Sequence, residues 1–247
     1  MSVATTEAAS AARLNSPQDL ASLRESILAQ RDPNQQEVIV CYGTGCLASG
    51  AQQVEAALRK SLAQAGVEAK VRPLIKTTGC RGFCSRGPLV VIQPQGLFYQ
   101  KVSAADADEI VDSTLVKGEV VERLLYKDLQ TGEAIAREAD IPFYKLQQRL
   151  VLGRIGTIDP TDINDTIAAG GYQALAKALY QMSPEQVVAE VERSGLRGRG
   201  GAGFPTGRKW KSALAAIKKK GYPVYVVVNG DEGDPGAFMD CMVMEGD

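Results

Sequence analysis

The sequence predicts an α/β protein, and three observations carry that prediction. Apolar patterns of strand and helix type alternate along the chain, glycine-bearing loops separate them, and 45% of the 247 residues are hydrophobic. At this length there is room for one large or two small domains. Lys and Arg total 28 against 29 Asp and Glu, a formal charge of -1, so no global field attracts nucleic acid. No 18-residue apolar run is present, so membrane insertion is not expected. The first residues, MSVATTEAASAARLN, lack the basic-then-apolar order of a secretory signal, which points to a reducing cytoplasm. With no His at all, Ser-His-Asp triads, Cys-His proteases and HExxH zinc sites are excluded.

The leading helix starts at Ser16-Pro17-Gln18-Asp19, a capping box with Pro at the first helical position, and carries Leu20, Leu23, Ile27 and Leu28 on one stripe. Val38 to Val40 reads as a strand ending at Cys41. A glycine-containing loop with Cys46 follows, then a helix capped by Ser49 and Gln52, lined by Val54, Leu58 and Leu62, and stopped by Gly66. Val71 to Ile75 is the second strand. After the loop Thr77 to Gly87, Leu89 to Ile92 and Leu97 to Val102 form a hairpin around Pro94-Gln95-Gly96, and Ser103 with Asp106 caps the next helix. This order over residues 36–118 is that of a thioredoxin-like domain.

Residues 1–35 form an N-terminal tail and the leading helix, while 119–158, charged and without a long period, read as a linker that packs on something. In 159–247, helical segments around Ile163, Ile167, Leu175 and Leu179 are interrupted at Gly170-Gly171, and a helix capped by Ser183 and Gln186 runs to Gly195. A further helix spans Lys209 to Lys220, and Val224 to Val228 reads as a buried strand feeding Asn229-Gly230-Asp231-Glu232-Gly233-Asp234.

Cys41, Cys46, Cys80 and Cys84 sit on two loops that this topology brings to one end of the sheet. Glycines at 43, 45, 79 and 82 let backbone amides approach sulfur, which suits an iron-sulfur cluster. Structural zinc, reactive thiols and ordinary buried cysteines are the competing readings. Six glycines fall between 195 and 207 in GLRGRGGAGFPTGRKW. A helix precedes the loop where a Rossmann fingerprint needs a strand, and the Gly-Lys-Ser/Thr ending of a Walker loop is missing. Free amides before a helix N-terminus, with Arg199, Arg208 and Lys209 beside them, form a cradle for phosphate. A flexible surface loop is the alternative. Asp231, Glu232 and Asp234 follow a strand's C-terminal end, where open α/β sheets bind ligands, though solvated turn residues or metal ligands are also open readings.

CYGTGC followed by TTGCRGFC resembles the thioredoxin-like [2Fe-2S] ferredoxins that accompany NADH-oxidising flavoproteins. GLRGRGGAGFPTGRKW with NGDEGDPGAF resembles the NADH-binding FMN flavoprotein subunit of complex I, NAD-dependent hydrogenases and formate dehydrogenases. The implied fold is a thioredoxin-like [2Fe-2S] domain followed by the start of an α/β FMN- and NADH-binding domain. The resemblance implies cluster ligands Cys41, Cys46, Cys80 and Cys84, and FMN on Gly198, Arg199, Gly200, Gly201 and Gly203 with Lys209 near its phosphate or ribityl side. It further implies Phe204 stacked on adenine, Asn229, Asp231 and Glu232 holding flavin and nicotinamide ribose, and Glu232 with Asp234 as the catalytic pair.

The chain departs from that pattern at Asp234, where relatives carry Glu, at Ser212, where a second stacking aromatic is expected, and at Cys241, where Arg is common. Cys241 reads as a semi-buried helical thiol. The family's further flavin contacts and the C-terminal helical bundle with its [4Fe-4S] cluster have no counterpart in these residues, so the sequence reads as a truncated fragment. The expected activity is hydride transfer from NADH to FMN and single-electron transfer to iron-sulfur clusters of partner proteins in a multi-subunit redox complex. The rival readings are a stand-alone [2Fe-2S] carrier with a non-functional flavin domain and, more distantly, a zinc-stabilised binding module.

Overall fold

The computed structural model describes residues 13–65, 74–221 and 225–246. Contacts gather them into two units, one of residues 28–169 with 230–246 and one of 13–27 with 170–229. The predicted Gly66 stop, the first half of the strand Val71 to Ile75, and Val224 lie outside the described residues.

The larger unit is built on a four-stranded sheet, β1 (Glu37–Cys41), β2 (Leu74–Thr78), β3 (Val90–Gln93) and β4 (Leu97–Tyr99), in the order β2-β1-β3-β4. β1 runs parallel to β2, with Cys41 opposite Thr78, and antiparallel to β3. Val38 to Cys41 and Val90 to Ile92 are all nearly fully buried, as the continuous apolar runs require of strands covered on both faces. Helix α1 (Pro17–Ala29), which falls in the smaller unit up to Ile27, precedes the sheet in sequence, and Ser16 Oγ accepts its Asp19 N–H at 3.1 Å. Between β1 and β2 come α2 (Thr44–Ala48) and α3 (Ala51–Ala65), which buries Val54, Leu58 and Leu62. The expected Ser49 cap is not made: its hydroxyl donates instead to Gly45 O at 2.8 Å, closing α2's last turn because α2 and α3 nearly abut. Ser103 and Asp106 form their capping box, and α4 (Ala107–Glu109) continues into a π-helical turn, Ile110–Val116.

Residues 119–158 join the core. Val121, Leu124, Leu125, Tyr126 and Ile141 are buried with the sheet, and the segment adds a short pair, β5 (Tyr126–Lys127) and β6 (Ala134–Ile135), followed by α5 (Pro142–Lys145). Phe98 N–H donates to Ala136 O at 2.8 Å and Gln100 N–H to Leu124 O at 2.9 Å, so this segment covers the free edge of β4. Beyond it, α6 (Ile163–Ala168) brings buried Asp165 to buried Lys76 at 2.9 Å and to Arg31.

In the other unit, α7 (Gln173–Gln181), α8 (Pro184–Ser194) and α9 (Thr206–Lys220) follow one another. Ser183 and Gln186 cap α8 reciprocally, and Gly195 closes it in the left-handed region. A Cβ on Gly207 would stand 2.3 Å from Glu192 Cα, so glycine is what lets α9 pack on α8. The predicted buried strand is corrected: Tyr225, Val226, Val227 and Val228 form no strand and are 81 to 88% exposed. An apolar run becomes a central strand only through neighbouring strands, and none among the described residues pairs with it. Past it, α10 (Met239–Gly246) belongs to the larger unit. Among the described residues no helix is long and apolar enough to cross a membrane.

Candidate functional site

Because β1 and β2 are parallel and in register at Cys41 and Thr78, the loops that follow them leave the sheet at the same end. The first carries Cys46 inside α2, and the second carries Cys80 and then Cys84 at the start of a 3-10 turn, Cys84–Arg86. Cys41 and Cys46 are buried, Cys80 is half-buried and Cys84 exposed. Cys80 and Cys84 sulfurs lie 3.6 Å apart, close to the ~3.8 Å expected of two thiolates on one tetrahedral metal with bonds near 2.3 Å. Cys41 Sγ reaches Gly79 O at 3.8 Å, and Gly82 N–H donates to Cys80 Sγ at 3.3 Å.

The thiols perturb one another in a string that runs Cys46, Cys41, Cys80, Cys84. Contact with Cys46, then burial, pushes the Cys41 thiol up to about 11. Cys80 is raised by Cys41 beside it and by burial, Cys84 by burial and by Cys80, while Cys46 is lowered by its bond from Cys41. The four titrate as one set, and metal binding would displace their protons. Among the described residues no group of three or more Cys, Asp or Glu side chains is placed to hold a metal ion. Four thiols are the ligand number of a two-iron cluster, two per iron.

Glycines make the room. A Cβ on Gly43 would stand 2.8 Å from Cys80 Sγ, one on Gly45 3.5 Å from Cys84 Sγ, and one on Gly87 2.6 Å from Cys46 Sγ. Gly87 is not among the glycines that motif spacing singles out, though its place three residues after Cys84 is a readable signal. Gly79 approaches α10 instead, since its Cβ would meet Gly246 Cα at 2.5 Å. Beside Cys80 and Cys84 lies a cavity of about 560 Å3, lined also by Tyr42, Phe238, Cys241 and Met242. Cys241 is the half-buried helical thiol expected.

Gly198, Arg199, Gly200, Gly201, Gly203, Phe204 and Lys209 lie together in the smaller unit, on the turn between α8 and α9 and the first turn of α9. Gly198 N–H donates to Phe204 O at 2.8 Å, Thr206 N–H to Leu196 O at 2.9 Å, and Arg197 Nε to Gly203 O at 2.6 Å, so the turn is a small closed hairpin. Gly201 and Gly203 take positive φ of 91° and 59°, and a Cβ on Gly200 or Gly201 would meet nothing within 4 Å. The backbone is therefore presented openly at the positive end of α9, with Arg208 and Lys209 in its first turn, which fits a phosphate-bearing ligand. Phe204 is half exposed with Arg208 6.0 Å from its ring.

Asn229 falls in the smaller unit, whereas Asp231, Glu232 and Asp234 fall in the larger. Glu232 caps α10: its carboxylate accepts the Cys241 N–H at 3.1 Å, and bonds from the helix's first amides, Asp240 foremost, hold it below the usual carboxylate range. Asp234 O accepts Ala237 N–H at 3.0 Å in a turn.

Residues 26–115 match the family described as thioredoxin-like [2Fe-2S] ferredoxin, and residues 191–247 match the Nuo51 FMN-binding domain. The chain is 55% identical over 103 residues to the NADP-reducing hydrogenase protein HndC of Solidesulfovibrio fructosivorans, covering 42% of this chain and 20% of that protein. It is 52% identical over 80 residues to a component of the NADH-quinone oxidoreductase of Rhizobium meliloti, covering 32% and 18%. The chain thus spans a fifth or less of the length of these curated relatives. Among solved structures, the thioredoxin-like [2Fe-2S] ferredoxin of Aquifex aeolicus is similar at 31% identity and a TM-score of 0.36, over 38% of this chain and 99% of that one. The chain is thus similar to thioredoxin-like [2Fe-2S] ferredoxins over residues 26–115 and to the Nuo51 FMN-binding domain over residues 191–247.

Proposed function

We propose that this chain serves electron input in an NADH-oxidising flavoprotein, working in the cytoplasm beside other iron-sulfur proteins of a multi-subunit redox complex. The observation that carries the reading is the string of four thiols at one end of the sheet, with Gly43, Gly45 and Gly87 leaving room at the sulfurs. Cys41, Cys46, Cys80 and Cys84 would hold a [2Fe-2S] cluster, and the amide of Gly82 would stabilise its reduced form through the bond to Cys80 Sγ. The glycine turn, Gly198 to Gly203 with Arg199 and Lys209, would hold FMN through backbone amides and positive charge. When bound, FMN would supply two-electron acceptance of hydride from NADH and the cluster would supply single-electron transfer.

The remaining roles fall to orientation. Phe204 would stack on the adenine of NADH, its ring exposed for contact. Asn229, Asp231 and Glu232 would hold flavin and ribose, and Glu232 with Asp234 would be the catalytic pair. Glu232 meanwhile anchors the start of α10, so one side chain would serve both the helix and the ligand.

Anaerobic reconstitution of the chain with iron and sulfide, followed by titration with FMN, tests the reading. Visible iron-sulfur absorption with a reduced-state EPR signal, together with saturable quenching of FMN fluorescence, is the expected result. A cluster without FMN binding would favour a stand-alone carrier, and a colourless chain holding zinc would overturn the cluster assignment.

A further inference from the structure

The ligand loop is held by its alternate residues. Between Cys80 and Cys84, Arg81 and Phe83 turn away from the cavity into residues 119–158, the segment that reads in the sequence as a linker packing on something. Phe83 stacks on Phe143 with ring centres 4.5 Å apart and planes 10° from parallel. Arg81, 4% exposed, donates through Nε to Glu138 Oε1 at 2.8 Å, through Nη2 to Glu138 Oε2, and through Nη1 to Gly156 O. Arg149 closes the arrangement by donating to Arg81 O at 3.0 Å. A guanidinium so placed is a permanent positive charge one residue from a ligand and shielded from water, and the Cys41 thiol lies within its electrostatic reach.

We propose that Glu138 is a positioning residue for the ligand loop and that, by neutralising Arg81, it sets the reduction potential of the cluster. The inference rests on the reading that the four cysteines hold a [2Fe-2S] cluster. One electron added to that cluster gives it an extra negative charge, which a buried cation stabilises and a nearby, partly buried carboxylate opposes. The two halves of the ion pair therefore push the potential in opposite directions, while the bidentate geometry holds the loop. A pair with a merely structural role would alter cluster content or stability, and it would give no such opposition of sign.

The test is an EPR-monitored redox titration of the reconstituted chain and of three variants, with iron and sulfide counted in each. Glu138→Gln keeps an acceptor for Arg81 and is expected to raise the midpoint potential. Arg81→Gln is expected to lower it, and the double variant, in which neither charge lacks its partner, is expected to fall between the singles. Should Glu138→Gln fail to load, the sign is read from Arg81→Gln against the double variant, whose potential must lie above it. Single variants that shift the same way, or not at all, overturn the proposal, as does failure of the double variant to load. A wild-type chain with no cluster would instead overturn the underlying reading, and the two failures are told apart by the wild-type spectrum.

Discussion

The two halves of the molecule treat their motifs differently. At the cysteine end of the sheet, Cys41 at the end of β1 and Cys46 in α2 are each 1% exposed, whereas a Cβ on Gly200 or Gly201 would meet nothing within 4 Å and Val226 is 88% exposed. The cysteine site is shaped by packing within the described residues, its glycines pressed against sulfur. The glycine turn is shaped by its own backbone bonds and by two helices, and what it would hold meets open surface. The contrast teaches that a motif's local geometry and the enclosure around it are separate achievements: the first needs a few hydrogen bonds, the second a core.

The largest expected effect breaks the packed side. Cys80→Ala is expected to abolish the reduced-state EPR signal, and Cys241→Ser, though its sulfur lines the same cavity, to leave it unchanged. Loss of signal in the second variant would redraw the ligand set. Next in size is the difference in packing itself. Phe98→Ala, at a fully buried side chain, is expected to cost about 3 to 5 kcal/mol in urea unfolding, and Val227→Ala to stay within about 0.5 kcal/mol. Equal costs would mean that the exposed segment is ordered by contacts on this chain.

A third prediction sharpens the open side. Gly201→Val places a branched side chain at a φ of 91°, a strain of about 1 to 2 kcal/mol, and is expected to weaken FMN binding measured by fluorescence. Phe204→Ala is expected to leave FMN affinity alone and to weaken NADH by about 1 to 2 kcal/mol, the worth of one aromatic contact, read as the dissociation constant of the flavin-loaded protein. Loss of flavin in that variant would move Phe204 into the FMN site.

The smallest effect is one of slope. Burial pushes Asp165 up, but the Lys76 ammonium, the Asp159 amide and Arg31 together hold it below the ordinary carboxylate range. A depressed carboxyl contributes stability above its unfolded value near pH 4, and that contribution is lost as pH falls through the folded value. Unfolding followed from pH 6 to pH 3 is therefore expected to lose less stability in Asp165→Asn than in the wild type. An identical slope would show that the buried network does not govern acid sensitivity.

Much of the packed side was legible in the sequence. Val38 to Cys41 announced a buried strand because β-branched residues without polar interruption do so wherever neighbours exist, and the same rule misled at Val224 to Val228, where an apolar run says nothing about its neighbours. Residues 119–158 were illegible for another reason. Their strands are only two residues long, and their anchoring residues, Glu138, Ile141 and Phe143, act at contacts distant in sequence, so no period reveals them. The four cysteines and Gly43 and Gly45 were readable from spacing. The use of Glu232 as a helix cap was not, because α10 begins seven residues later, beyond the reach of a local capping rule.

The most direct test of the central claim is a count of iron, acid-labile sulfide and zinc per chain after anaerobic purification, with the EPR spectrum of the same sample reduced by dithionite. Four cysteines holding a two-iron cluster predict about two irons and two sulfides per chain, negligible zinc and one spin per cluster on reduction. About one zinc per chain, with no labile sulfide and no signal, would contradict it.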